Sequence, residues 1–247
     1  MNIKLTLIIL LLSISGGYAQ KLTDCSACSV KAYKEVDLAE NKLYEIELLR
    51  NEIFARHGYK FQNERLEEYF KQFGWYRSSA TKTFSAAELN SNETHNIELF
   101  KKLESKIKAE RDQMLAELQR LKTAVLTDNH AVVREFVADP DQYESALAVL
   151  KEILGSIPVS DISWFKDQAL YAITTDNGLY RERKEIRING NFISIMMHSP
   201  WGHSELMESN DAFSYPSQFY SEEEYSYGGH LEFKGGKLKF IRTVAAG

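Results

Sequence analysis

The hydrophobic period changes once along this chain of 247 residues, and the change falls just after Pro158. Before it, apolar residues recur every three or four positions, as they do along one face of a helix. After it they alternate, as they do on a strand with one buried face. The alternating part is cut by Asp176-Asn177-Gly178, Asn189-Gly190 and Gly235-Gly236, which supply the φ > 0 residues that tight hairpin turns demand. Strands are expected over residues 169–174, 179–188, 192–198, 230–233 and 238–244. Helices followed by such a meander predict an α+β fold: a small all-helical N-terminal domain, then helices packed on one face of an antiparallel sheet.

Leu48 to Tyr76 is the most sharply punctuated part of the helical half. Leu43, Ile46, Leu49, Ile53 and His57 mark a buried stripe widened by Phe54, with Glu47, Arg50 and Arg56 at its edge. Gly58 ends that helix, because it takes the left-handed conformation at no steric cost, and Arg56 and His57 lie where the helix dipole favours positive charge. A second helix turns Leu66, Tyr69, Phe70 and Phe73 inward and closes at Gly74. Trp75 and Tyr76 are expected to fold back onto both helices. Asp37-Leu38-Ala39-Glu40 has capping-box spacing and should open the first helix; Ser85-Ala86-Ala87-Glu88 repeats the pattern, and Ser91 or Asn92 should cap the helix after it.

From Glu93 the steps Phe100, Leu103, Ile107, Met114, Leu118, Leu121 and Val125 predict a long helix to Leu126, bent and shared by two domains, with a polar break at Glu110 and Arg111. Asp128 can cap a helix over residues 129–138. Asp139-Pro140 opens another, with Tyr143, Leu147, Leu150 and Leu154 on one face and Gly155 at its end.

Phe54-Ala55-Arg56-His57-Gly58, preceded by Leu49-Arg50-Asn51-Glu52-Ile53 and followed by Trp75-Tyr76, Phe84 to Glu88 and Asn96-Ile97, resembles the YARHG domain, a small module of exported bacterial proteins. The resemblance covers residues 35–108. Phe54 stands where the family's name motif has tyrosine, so that position packs rather than reacts. The resemblance implies an accessory recognition module, since similar proteins carry it attached to peptidases and kinases, and it assigns no reaction.

The first nineteen residues read as a secretory signal. Lys4 precedes an apolar run from Leu5 to Ile14, and Gly17-Tyr18-Ala19 offers small residues for cleavage before Gln20. The run is short for a membrane span, which needs roughly 20 residues, and Cys25 lacks the preceding small residues that lipidation requires. No later stretch is long enough to cross a membrane. The layout expected is a signal (1–19), a leader carrying Cys25-x-x-Cys28 (20–34), a helical YARHG-like domain (35–111) and an α+β domain (112–247).

Cys25 and Cys28 are expected to form a local disulfide. A thioredoxin-type site needs a preceding strand, and a zinc site needs two further ligands that no close His or Cys supplies. Residues 20–111 carry 16 basic against 15 acidic side chains, and residues 112–247 carry 13 against 20, so the acidity belongs to the second half. With no basic stripe, nucleic acid and anionic membrane surfaces are excluded as partners.

Three groups of residues are candidates for ligand binding. In the motif they are Arg50, Arg56, His57, Trp75 and Tyr76. His57 could act as a base oriented by Arg56 or Glu52, or serve as a helix cap; Arg50 could anchor a ligand or pair with Glu47 or Glu67. In the sheet half, Arg181, Arg183 and Arg187 share one face of a strand and either bind an anion or pair with Glu185. The insertion between Ser199 and Gly229 carries Trp201, Phe213, Tyr215, Phe219, Tyr220, Tyr225 and Tyr227 among Glu222, Glu223 and Glu224. Those rings either stack on a sugar or protein partner or pin the loop to the sheet. His198, His203 and Glu205 match no established metal-site spacing, so no metal or cofactor is assigned. With no G-x-S-x-G or H-E-x-x-H sequence present, the residues favour an exported, non-catalytic binding protein of the cell envelope with an unidentified ligand or protein partner. An envelope hydrolase with its site in the sheet is the alternative.

Overall fold

The computed structural model describes residues 21–79, 84–199, 204 and 225–247. The expected signal segment, and most of the aromatic insertion with Trp201, His203, Glu205 and Tyr220, lie outside the described residues. The chain divides into two compact units, Met1–Lys101 and Lys102–Gly247, and the fold class is α+β.

In the first unit, α1 (Leu43–Arg56) and α2 (Glu64–Lys71) are followed by the opening turns of α3 (Ser91–Leu126). The expected stripe is buried at Leu43, Ile46, Leu49 and Ile53 of α1 and at Leu66 and Phe70 of α2, whereas Phe73, also expected to turn inward, lies past the end of α2 and is exposed. Gly58 terminates α1 at φ 75°, and a Cβ there would crowd the Arg77 carbonyl at 3.0 Å. No ordinary side chain suits that position.

Three caps differ from the expectation, one of them being Asn129 in place of Asp128 at the helix after Leu126, where its side chain accepts the Val132 N–H at 3.3 Å. Asp37 accepts the Lys34 N–H within a 3-10 turn, Glu35–Leu38, and does not open α1. The helix starts later, at Leu43, where Glu45 accepts the N–H of the N-cap residue Lys42 at 3.0 Å; just before it, the Asn41 side chain exchanges two hydrogen bonds with the backbone of Leu22, at 3.0 and 2.8 Å. The cap of α3 is Asn90 rather than Ser91 or Asn92: its side chain accepts the Glu93 N–H, and Glu93 accepts the Asn90 N–H, both at 3.0 Å.

The cysteine-bearing segment is not an exposed leader. Cys25 and Cys28 are buried and joined by a disulfide, with their Cα atoms 5.0 Å apart. Asn96, fully buried on α3, holds the turn in place: it donates to the carbonyls of Cys28 and Lys31 and accepts the Tyr33 N–H. The segment therefore packs as part of the unit's core.

The second unit comprises the remainder of α3, α4 (His130–Phe136), α5 (Tyr143–Glu152) and a six-stranded antiparallel meander in sequence order. The strands are β1 (Ser163–Phe165), β2 (Gln168–Asp176), β3 (Arg181–Asn189), β4 (Phe192–Ser199), β5 (Tyr225–Lys234) and β6 (Lys237–Ala246). Met114, Leu118, Leu121 and Val125 of α3 join α4 and α5 against Ile186, Ile188, Ile193, Ile195, Leu231 and Phe240 in one apolar core. Alternation places the side chains of β3 on opposite faces, so Ile186 and Ile188 enter the core while Arg183, Glu185 and Arg187 face away. Two strands depart from expectation. β1 has only three residues, too few to show a period. β5 begins at Tyr225 rather than His230, because Gly228 and Gly229 hide its alternation. A Cβ on Gly228 would run into the Ile195 carbonyl, so glycine lets β5 close on β4 there.

Candidate functional site

The motif side chains of α1 are turned on one another and on nearby elements. Arg56 bonds Glu52 one helical turn back, with Nε at 2.9 Å from Oε1, and its guanidinium lies 4.5 Å over the ring of Trp75. His57 Nε2 lies 2.9 Å from Glu93 Oε1, so the carboxylate that completes the cap of α3 also fixes the end of α1. Tyr76 is buried, and its single O–H is shared between Glu67 Oε2 and the Tyr59 carbonyl, at 2.6 and 2.7 Å. Burial and the bond to Glu67 push its phenol up to about 12. Burial also pushes Glu67 up, but the donors Tyr76, Phe61 N–H and Ser78 outweigh it and hold the carboxyl below its ordinary value. Arg50 is half-buried on α1. Glu47 pairs with Arg65 at 2.8 Å.

α1, α2 and the segment before Cys25 line a half-open cavity of about 210 Å³. Leu48, Leu49 and Glu52 come from α1 together with Glu45, Tyr69 comes from α2, and Lys21, Leu22 and Thr23 form the remaining wall. Lys21 Nζ lies 2.5 Å from Glu45 Oε1 and ties that wall to α1. Burial pushes the Glu52 carboxyl above its ordinary value in spite of hydrogen bonds from Arg56 and the Cys25 N–H. Burial likewise raises the Tyr69 phenol, with the charge of Glu52 adding to it. The cavity wall continues into an aromatic shelf: Tyr69 meets Phe73 at 5.4 Å between ring centroids, and Phe73 stacks on Trp75 at 5.5 Å. Phe73 and Trp75 are each more than one-third exposed.

Of the motif candidates, Arg56 and Trp75 therefore lie together beside the cavity, whereas His57 and Tyr76 are engaged in interior contacts. Lys21, Glu45, Glu52 and Tyr69 were not recognised from sequence as cavity residues. Glu52 carried a signal, since it is a carboxylate set within the apolar stripe between Leu49 and Ile53.

In the second unit, Glu185 is buried between two arginines, with Arg183 Nε at 2.8 Å and Arg187 Nε at 2.5 Å. Burial would raise its carboxyl, but these two partners outweigh burial and hold it below the ordinary value. His198 Nε2 lies 3.9 Å from the same carboxylate. Burial lowers its imidazole pKa, and Glu185 opposes that shift. Arg181 stands opposite Asp176 in the β2–β3 register. Tyr225 stacks on Tyr227 at 6.0 Å on the helix-facing side of the sheet, the face opposite Arg183. Among the described residues, no group of His, Cys, Asp and Glu is arranged to hold a metal ion, and no helix is long and apolar enough to cross a membrane.

The first unit is thus a small disulfide-linked helical module with a cavity lined by α1, α2 and the segment before Cys25. Residues 24–105 match the YARHG domain family, and the C-terminal half has no family match. The matched span takes in the Cys25–Cys28 turn, which Asn96 of the motif pattern holds in place. No curated protein and no solved structure matches the chain.

Proposed function

We propose that this protein is an exported, non-catalytic binding or accessory protein of the bacterial cell envelope, with its ligand site at the cavity of the first unit. The observation that carries the reading is the use of the motif. His57, Arg56 and Tyr76 are committed to Glu93, Glu52 and Glu67, so the motif side chains hold the module together, with Glu52 in the cavity lining, rather than setting a nucleophile and base around a substrate. Export through cleavage before Gln20 is part of the proposal. It is supported by the YARHG match, a module typical of exported proteins, and by the Cys25–Cys28 disulfide, which suits an oxidising compartment. Two domains are proposed, the YARHG-like module and the acidic sheet domain. The hydrolase alternative is disfavoured by Glu185, because a general acid needs a raised pKa and this carboxyl is held low by two guanidinium groups.

The test is a thermal-shift screen of residues 20–247 against muropeptides, envelope oligosaccharides, divalent metals and anions. A saturable rise in Tm with one of these, lost in Leu48→Trp, which fills the cavity, is the expected result. Turnover of any of these compounds by the purified protein would overturn the non-catalytic reading. Absence of any shift would replace the small-ligand site with a protein partner.

A further inference from the structure

The cavity is lined by both carbon surface and carboxylates. Leu22, Leu48, Leu49 and the ring of Tyr69 supply carbon surface, while Glu45 and Glu52 supply charge. Lys21 is the cation among the lining residues, and its ammonium is engaged with Glu45. Burial pushes Glu45 up, yet the bonds from Lys21 and the Lys42 N–H bring it below its ordinary value, which marks it as a satisfied carboxylate.

Glu52 is in the opposite condition. A carboxylate offers about four lone-pair positions. Arg56 donates two hydrogen bonds to Oε1, and the Cys25 N–H donates one to the carboxylate. One acceptor position remains in a side chain that is about nine-tenths buried. Asp24 adds a third negative charge whose field reaches Glu52. Lys21 and Lys42 both act on Glu45, whereas Glu52 has the single cation Arg56, covered by Trp75, against its own charge and that of Asp24. At Glu52 an anionic ligand would meet excess negative charge. A cation with N–H donors would complete Glu52 as Lys21 completes Glu45.

We propose that this cavity binds an aliphatic primary ammonium, of the kind carried by a lysine-type side chain or an alkylamine, with its nitrogen on Glu52 and its carbon stem against Leu22, Leu48 and Leu49. The inference rests on the reading of the cavity as the ligand site and adds the chemistry of the ligand. About 210 Å³ is room for roughly seven waters at about 30 Å³ each, or for one short unbranched chain.

The probes are pentylamine, pentanol and pentanoate, which share one stem and differ in the head group. Each is titrated into residues 20–247 at pH 7 and followed by amide chemical shifts. Pentylamine is expected to move Lys21 to Thr23, Leu48, Leu49, Glu52 and Tyr69 saturably, with Kd about millimolar, as suits so small a ligand. Pentanol should bind at least about tenfold more weakly, and pentanoate should move none of these residues. Glu52→Gln should bring pentylamine down to the affinity of pentanol. Because Glu52 also holds Arg56 and the Cys25 N–H, Leu48→Trp serves as a second variant. It fills the cavity without touching those bonds and should abolish the pentylamine shifts. Equal affinity for pentanol and pentylamine would overturn the ammonium assignment while leaving a ligand-binding cavity. No shift with any of the three would also overturn it, and the envelope screen would then decide separately whether the first unit binds small ligands.

Discussion

The two units bury different kinds of atoms. In the first, Asn96, Glu52, Glu67, Glu93 and a disulfide lie among the apolar side chains. In the second, three helices and a six-stranded sheet meet in one continuous apolar core, and Glu185 lies on the face turned away from it. Size accounts for the contrast. A module of this length removes a smaller fraction of its surface from water, so cross-links and satisfied polar networks must carry more of the structure. The sheet unit has enough apolar area to rely on packing.

That contrast predicts different failures. Leu118→Ala opens a cavity in a fully buried position of the second unit and should cost about 3–4 kcal/mol. Hydrogen exchange should show the loss in the amides of β3 to β6 and leave α1 protected. Asn96→Ala orphans two carbonyls and one N–H in the first unit and should cost about 3 kcal/mol, read as lost protection in α1 and at Tyr33. If Asn96→Ala instead weakens both units equally, the division of labour is wrong.

Tyr76→Phe should cost about 1.5–2 kcal/mol, because Glu67 loses a buried donor. The same pair predicts an alkaline limit. Tyr76 has a folded pKa raised from 10.0 to about 12, so its contribution is full below pH 10 and is lost as pH climbs toward about 12. Tyr76→Phe should remove that fall in a denaturation series at rising pH. Glu67 has the opposite sign: its folded pKa is lowered, so its contribution is present above about pH 4.5 and is lost on further acidification. The smallest effect belongs to the surface of the second unit. Glu135→Gln breaks an exposed pair with Arg120 at 2.9 Å and should change stability by about 0.5 kcal/mol or less in urea unfolding.

What could be read from the sequence was what is decided locally. Gly178, Gly190, Gly235 and Gly236 announce their turns because φ > 0 excludes most other residues, and each does adopt positive φ. Leu49, Ile53, Leu118 and Leu121 announce their faces through spacing. What escaped was pairing at a distance. Glu93 is 36 positions from His57, and nothing in either neighbourhood shows that one carboxylate will cap a helix and hold that histidine. Asn41 lies 19 positions from Leu22, and that contact ties the cavity's outer wall to the residues just before α1. The cavity was missed for the same reason, since one of its walls is a segment whose sequence resembles a leader.

α3 spans 36 residues, and the division between the units falls inside it, after Lys101. Its two parts therefore acquire partners at different times while the chain is being made. Ile97 and Phe100 are buried in a unit whose other elements have all emerged before them. Met114, Leu118, Leu121 and Val125 belong to a core that also needs Phe240, more than a hundred residues later. Helix growth is quick once a nucleus exists, so the second stripe can be helical long before its sheet is complete. For that interval the nascent chain carries a ready-made apolar ridge, which is where a holding chaperone would act.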